Sequence, residues 1–350
     1  MGTGILTIDP DSLAKNWQAL NGMSSQAVET TAVVKADGYG LGAGNVARRL
    51  MREGVTKFFV ATTEEGVALR RDTGDAPNIY ILSGHMLGDT DMLRDARLTP
   101  MLNSLDQITR HFASLPAAPF GVQLDSGMNR LGLEPADWTA LKSEVLARGP
   151  VLLMSHLACS DTPENPQNAE QLACFRAMTD GVDVPRSLAA TGGILLGADY
   201  HFDLVRPGVG LYGGLPFRDA SPVVQLSLPI IQTRDVQPGE YVGYGNGWKA
   251  DKPTKVATLA AGYADGLIRA MGGQSTQVFA AATPCEILGR VSMDMLTVDV
   301  THLENIPESL DILCDHQTID DLADKAGTIG YEILTNLGAR YTRHLKEETQ

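Results

Sequence analysis

The sequence predicts an α/β fold: a (β/α)8 TIM-type barrel followed by a mostly β C-terminal domain. Three observations predict it. Eight short apolar runs recur over roughly the first two hundred residues, with helix-like segments between them. After Phe217 strand-like runs follow one another without long helices. The unusual polar residues of the first part fall at the carboxyl ends of the apolar runs, the face where barrel enzymes place their sites. A doubly wound sheet is the structural alternative, but it usually needs fewer strands in series.

The runs are Thr31–Lys35, Lys57–Val60, Asn78–Leu82, Leu98–Leu102, Phe120–Leu124, Val151–Ser155, Arg186–Ala190 and Phe202–Val205. Continuous apolar segments of this length read as parallel strands buried on both faces. Between them Asn45–Glu53 is amphipathic, and Thr62 with Glu65 resembles a capping box ahead of Gly66–Asp72. Ser104–Ser114, Pro135–Arg148 and Pro166–Gly181 also suit helices. In the second part Val223–Val236, Lys255–Ala261, Thr276–Ala281, Cys285–Leu288 and Met295–Val300 read as strands. Turns are expected at Pro238-Gly239 and Gly245-Asn246-Gly247, and short helices over Asp320–Ala326 and Ile329–Leu337. The expected division is a barrel domain over 1–220 and a β-rich domain over 221–350, with residues 1–10 a candidate strand of the second.

Composition narrows the function classes. The chain has 350 residues, too many for one ordinary core. With 43% apolar and 20% charged residues it can bury a sizeable core. Its 28 basic and 42 acidic residues give a net charge of −14, which argues against nucleic acid or an anionic membrane as partner. A small anionic ligand stays open, because a few local arginines suffice to hold one. The start, MGTGILTIDPDSLAKNW, has no basic region followed by a long apolar one, so no signal peptide is expected. No apolar stretch is long enough for a membrane span. Cys159, Cys174, Cys285 and Cys314 are too widely spaced for a CxxC pair or a zinc set, and the seven histidines form no HExxH. The reading is a cytoplasmic protein with reduced thiols and no metal.

Lys35 ends the first run, in TAVVKADGYGLG. Burial lowers a lysine pKa, and a neutral amine is what Schiff-base chemistry needs. A lone strand-end lysine otherwise packs its stem and sends its ammonium to water. Arg130 follows the fifth run, His156 the sixth, Thr191-Gly192-Gly193 the seventh and Arg206-Pro207-Gly208 the eighth. The small residues after the last two runs match the usual phosphate-binding corner of such barrels. Gly208–Gly213 also matches GxGxxG, but Gly214-Leu215-Pro216 opens no good helix, so the dinucleotide fingerprint does not apply.

Several short motifs, in order and spacing, resemble the alanine racemases. They are AVVKADGYGLG at 32–42, LDSGMNRLGL at 124–133, MSHLA at 154–158, LVRPGVGLYG at 204–213, VGYGNGW at 242–248, GYADG at 262–266 and GRVSMD at 289–294. The resemblance implies a pyridoxal 5'-phosphate barrel joined to a β domain, working as a head-to-tail homodimer with shared active sites. It implies interconversion of L- and D-alanine, supplying D-alanine for peptidoglycan. Lys35 would bind the cofactor as a Schiff base and serve as one of two catalytic bases. Tyr244 would be the other base, reaching the site from the partner subunit, since two opposed bases suit removal and return of a proton on opposite faces of Cα. Arg206 would face the pyridine nitrogen and weaken the ring as an electron sink. His156 would hydrogen-bond that arginine; a lone histidine is otherwise often a packing residue. Arg130 would contact the cofactor's phenolic oxygen and the substrate carboxylate. Tyr39, Thr191, Gly208, Val209 and Tyr263 would surround the phosphate, and Leu82 would also touch the cofactor. Met293 would lie near the substrate from the partner chain, with Asp294 close by.

The sequence departs from the family in places. Many relatives carry a carbamylated lysine at the position of Gln123, bracing the arginine that corresponds to Arg130. Gln123 cannot form a carbamate, though its amide oxygen could brace a guanidinium. Ala339 stands where some members have a phosphate-contacting tyrosine, with Tyr341 two places on, and Ala190 stands where many have asparagine. Alternatives within reach of the sequence are a serine or broad-specificity racemase of the same fold, a non-catalytic pyridoxal-phosphate carrier protein and an amino-acid decarboxylase. The β domain with Tyr244 and GYADG argues against the carrier, and the lack of the expected cysteine pattern argues against the decarboxylase.

Overall fold

The computed structural model describes residues 4–273 and 275–347. The chain divides into two compact units, one of Leu13–Leu211 with Pro216–Ala220, the other of the residues before Leu13, Tyr212–Leu215 and those from Ser221 on. It opens with β1 (Ile5–Ile8) and α1 (Pro10–Gly22). The first unit continues with β2 (Glu29–Thr30), β3 (Ala32–Val33), β4 (Lys57–Val60), β5 (Asn78–Ile81), β6 (Thr99–Leu102), β7 (Gly121–Gln123), β8 (Leu153–Met154), β9 (Arg186–Ser187) and β10 (Leu204–Val205). Between these lie α2 (Lys35–Tyr39), α3 (Ala43–Arg52), α4 (Thr63–Thr73), α5 (Thr90–Asp95), α6 (Leu105–Ser114), α7 (Pro135–Ala147), α8 (Gln167–Thr179) and α9 (Thr191–Leu195).

Strands β3 to β9 form one parallel sheet in sequence order. β10 then pairs in parallel with β2, Leu204 opposite Glu29 and Val205 opposite Thr30. The Thr31 N–H donates to Val205 O at 3.0 Å and the Val33 N–H to Pro207 O at 2.9 Å, so β2 and β3 act as one strand. On its other side β10 is joined to the strand before it, through a parallel bridge between Ala190 and Arg206. The ring is therefore closed, as a (β/α)8 barrel requires. Phe58, Phe59 and Val60 are all buried, as are the four residues of β6. That burial on both faces is why these strands read as continuous apolar runs.

Two local expectations are corrected. The first run does not carry Lys35 in the ladder: pairing ends with the Val34 N–H donating to Phe59 O at 2.9 Å, and Lys35 opens the turn beyond it. The Thr62/Glu65 capping box is only half formed. Thr62 Oγ1 accepts the Glu65 N–H at 3.4 Å, but the Glu65 carboxylate turns away, accepting the Ala36 N–H at 2.8 Å and the Ala61 N–H at 2.7 Å. A neighbouring strand end supplies a donor that a helix pattern cannot reveal.

Beyond β5 the imidazoles of His85 and His111 are buried against each other, Nδ1 to Nδ1 at 3.2 Å. His111 Nε2 lies 3.5 Å from Ala118 O, and His85 Nε2 lies 2.9 Å from Thr90 Oγ1. A carbonyl only accepts, so the network assigns the hydrogen of His111 to Nε2. His85 Nδ1 then donates to His111 Nδ1, and Thr90 donates to His85. Burial lowers both pKa values, that of His111 to about 4.

The second unit holds β11 (Val224–Val236), β12 (Tyr241–Val242), β13 (Trp248–Lys249), β14 (Thr254–Leu259), β15 (Gln277–Ala280), β16 (Thr283–Glu286), β17 (Leu296–Asp299), β18 (Ser309–Leu313), α10 (Ile319–Ala326), α11 (Gly330–Asn336) and β19 (Thr342–Leu345). β11 is its spine, pairing antiparallel with β1, β14 and β18. β1 also pairs in parallel with β19, Ile5 opposite Thr342. β12 and β13 form a separate hairpin whose turn is Tyr244–Asn246.

Candidate active site

Lys35 stands where the first barrel strand gives way to a left-handed turn. Ala36, Asp37 and Tyr39 take φ of 52°, 52° and 54°, and Gly38 takes 63°. A non-glycine residue in that region costs roughly 1–2 kcal/mol. Hydrogen bonds offset the strain: Gly38 N–H to Val34 O at 2.9 Å, Gly40 N–H to Ala36 O at 2.8 Å, Gly42 N–H to Asp37 O at 2.8 Å, and Ala43 N–H to Asp37 Oδ1 at 2.9 Å. Gly38 is required twice over, since a Cβ there would also fall 3.0 Å from Ala43 N. The Lys35 amine is half-buried. Burial first, and then the Arg130 charge, push its pKa below that of an ordinary ammonium, while Glu65 pulls the other way.

Arg206 follows the closing strand and is buried. Its Nη1 donates to Ser187 Oγ, and its Nη2 to Ser155 O at 2.7 Å and Leu188 O at 3.5 Å. The guanidinium lies 5.9 Å from the centroid of the Phe59 ring, and Phe59 stacks on Tyr80 at 4.7 Å. Burial brings the Arg206 pKa down to about 10, and that of Tyr80 up to about 12. The expected hydrogen bond from His156 to Arg206 is not formed; the guanidinium instead donates to Ser155, Ser187 and Leu188. His156 is nevertheless in its field: desolvation, then Arg206, Arg130 and Lys35, push the imidazole down to about 3. Three cations thus converge on one neutral imidazole in a chain whose net charge is −14. That concentration of positive charge suits an anionic ligand.

The corner after β9 and β10 is built for close approach. Thr191 opens α9, and its Oγ1 accepts the N–H groups of Gly208 at 3.1 Å and Gly210 at 3.2 Å. A Cβ on Gly208 would lie 2.5 Å from the Tyr39 hydroxyl. Tyr39, Thr191, Gly208 and the adjoining Val209 are therefore brought together, and Val209–Tyr212 forms one 3₁₀ turn rather than a nucleotide-binding helix. Leu82, at the end of β5, is half-buried. This cradle fits a phosphate, and with the nearby lysine and arginines it fits pyridoxal phosphate.

The Arg130 loop is held by its backbone. Asp125 Oδ1 accepts the N–H groups of Gly127, Met128 and Asn129 at 2.8, 2.9 and 3.2 Å. Gln123 does not brace the guanidinium, as its sequence position suggested; its Nε2 donates to Leu131 O at 3.1 Å. Arg130 itself is exposed.

The second unit gathers its own candidates. Tyr244, 74% exposed, sits in the β12–β13 turn. A Cβ on Gly245, the next residue, would lie 3.2 Å from Arg290 Nη1. Tyr263 N–H donates to Ser292 O at 3.0 Å and Ala264 N–H to Met293 O at 2.9 Å, so the GYADG and GRVSMD segments run side by side. Met293 and Tyr263 are exposed. The Asp294 carboxylate is engaged by Arg340 Nη1 at 2.7 Å, and the same guanidinium grips Asp265 through Nε at 2.5 Å and Nη2 at 2.7 Å. Tyr341 is buried, its ring so close to Gly4 that a Cβ there would meet Cδ1 at 2.9 Å.

Comparison with known proteins is decisive about ancestry. Residues 8–216 match the family described as alanine racemase, N-terminal domain, and residues 223–345 match alanine racemase, C-terminal domain. The chain belongs to the alanine racemase family. The alanine racemase of Cereibacter sphaeroides (strain ATCC 17029 / ATH 2.4.9) is 62% identical over 343 residues, 98% of each chain. That of Jannaschia sp. (strain CCS1) is 60% identical over 345 residues, 99% of each chain. The crystal structure of alanine racemase from Bartonella henselae with covalently bound pyridoxal phosphate is similar with a TM-score of 0.93 at 32% identity, covering 98% of this chain and 99% of that one. The crystal structure of biosynthetic alanine racemase from Pseudomonas aeruginosa gives 0.91 at 32% identity, covering 99% of this chain and all of that one.

Within this alanine racemase framework the sequence missed Glu65 and Arg340. A carboxylate three residues after a threonine reads as a helix cap, which hid the first. Arg340 gave no signal, because its partners Asp265 and Asp294 lie 75 and 46 residues away.

Proposed function

We infer that this chain is an alanine racemase that interconverts L- and D-alanine with pyridoxal 5'-phosphate. The observation that carries the reading is the convergence of Lys35, Arg130 and Arg206 on His156 beside the Gly208 cradle, in a chain of this family. When bound, pyridoxal phosphate supplies an electron sink that acidifies the substrate Cα–H. Lys35 would hold the cofactor and move a proton at Cα on one face, a task suited to an amine whose pKa burial has lowered. Thr191 Oγ1, with two N–H groups already on it, keeps its own hydrogen to donate to a phosphate oxygen. Arg206 has only donors, so the pyridine nitrogen facing it would stay unprotonated. Arg130 would hold the substrate carboxylate with its fork. Tyr39, Gly208, Val209, Leu82 and Tyr263 would complete the cofactor contacts, with Met293 and Asp294 toward the substrate.

The opposite face of Cα would be served by Tyr244 of the partner subunit in a homodimer. Its high exposure and hairpin position support that reading. The division of labour would place the cofactor in the barrel domain, 1–220, and the second base in the β domain, 221–350. Four free thiols suit a cytoplasmic setting, where D-alanine would serve peptidoglycan synthesis. Among the described residues no helix is long and apolar enough to cross a membrane. The test is chiral analysis of products from a panel of L-amino acids, with borohydride trapping of the cofactor. Alanine should racemise fastest and the trapped cofactor should sit on the Lys35 peptide. Serine as the best substrate would make this a serine racemase, and trapping on another lysine would end the reading.

A further inference from the structure

Glu65 has no part in the roles above, yet its carboxylate bridges two strand ends. Oε1 accepts the Ala36 N–H and Oε2 the Ala61 N–H, at 2.8 and 2.7 Å. Ala36 follows Lys35 directly, and Ala61 follows the last residue of β4. Ala36 is also the first residue of the left-handed turn, with φ of 52°. A side-chain acceptor from α4 therefore fixes the backbone at the point where it departs from the strand.

We propose that Glu65 is the positioning residue for Lys35, clamping the left-handed turn that aims its amine and setting a negative charge beside it. Charge supports the geometry. The groups coupled to the Lys35 amine are Arg130 from the loop after β7, His156 from the loop after β8 and Glu65 from α4. Arg206, after β10, acts on the same histidine. Asp37, on the turn itself, is committed to the Ala43 N–H. Glu65 thus opposes the burial and the Arg130 charge that favour a neutral lysine, keeping the amine able to hold a proton as well as release it. The role rests on Lys35 being the cofactor lysine.

The test uses the full-length holoenzyme and the variants Glu65→Ala, Glu65→Gln and Glu65→Asp. Hydrogen exchange of the peptides covering residues 35–42 and Ala61 should quicken about tenfold in Glu65→Ala, where each loses one hydrogen bond worth that much, while barrel strands away from these two ends keep their rates. The limb of the kcat pH profile should move to lower pH in Glu65→Gln, because the lysine amine is free only in the substrate complex and an anion that favoured its ammonium is gone. Glu65→Asp, which keeps the charge on a shorter arm, should return the limb toward its original pH without restoring protection. Unchanged exchange at residues 35–42, an even acceleration across the barrel, or a limb that stays in place in Glu65→Gln would each overturn the assignment. If the wild-type cofactor traps on another lysine, the racemase reading falls and the pH arm with it; the exchange arm then decides the clamp by itself.

Discussion

Arg206 Nη2 donates to the backbone carbonyl of Ser155, the residue before His156, at 2.7 Å. The bond runs from the strand that closes the barrel to the strand that carries the histidine, so the guanidinium is aimed by main chain. Arg206→Glu puts an acceptor where a donor stood and permits a protonated cofactor nitrogen. Racemisation should fall sharply and a transamination by-product should appear, followed by chromatography of the keto acid. Arg206→Lys should cost about 1–3 kcal/mol in urea unfolding, since one ammonium cannot serve both Ser155 and Ser187. Normal racemisation without by-product in Arg206→Glu would mean that Arg206 does not face the ring.

Arg130 should work without carbon dioxide. Gln123 cannot be carbamylated, and its amide holds the Leu131 carbonyl beside the arginine. Activity should be indifferent to removal of bicarbonate. Gln123→Leu leaves that carbonyl without its partner and should raise KM for alanine several-fold, with a smaller change in kcat, measured by steady-state kinetics. Bicarbonate-dependent activity would contradict the first part.

Acid should destabilise the fold through its neutral imidazoles. His111 is held at about 4 and His156 at about 3. In the unfolded chain both return to an ordinary value of about 6.5. Between these values the unfolded state binds more protons, so stability is complete above the unfolded pKa and is lost as pH falls toward the folded ones. The urea midpoint should decline from about pH 7 to about pH 5, before carboxylates titrate. His111→Asn should show a shallower decline, and a flat midpoint in the native protein would contradict burial of neutral histidines.

Each active site should be shared between chains. Lys35→Ala and Tyr244→Phe homodimers should each lose about 10²–10⁴-fold in kcat, the usual worth of a general acid or base. Mixed under conditions that exchange subunits, they should regain activity up to one working site per heterodimer. No recovery from verified heterodimers would place both bases in one chain or remove Tyr244 from the reaction.

What the sequence disclosed tracks how local each signal is. All eight barrel runs are strands, because burial on both faces writes itself as a continuous apolar segment. Ser309–Leu313 went unread although its leucines and isoleucine are buried, because serine and aspartate interrupt them. Thr342–Leu345 has no buried residue and exists as a strand only through β1, more than three hundred residues away. In the site, Lys35, Arg206 and the glycine corner were legible as polar or small residues at strand ends. The partners of Gln123 and Glu65 were not, since each depends on which backbone group happens to be within reach of the folded side chain.

The closure of the ring by β10 has a consequence for biosynthesis of the molecule. Thr31 Oγ1 donates to Val205 O across 174 residues of chain, and the next residue on that strand is Arg206. A nascent chain that has left the ribosome only as far as Phe202 already contains the lysine and seven strands in sequence. It lacks the edge that Glu29–Val33 must meet, the arginine and the glycine corner. Loop closure over such a distance comes late in folding. Ring completion and assembly of the cofactor corner therefore arrive in one event, and an unfinished or truncated barrel offers the cell a lysine with no cradle beside it to hold a phosphate.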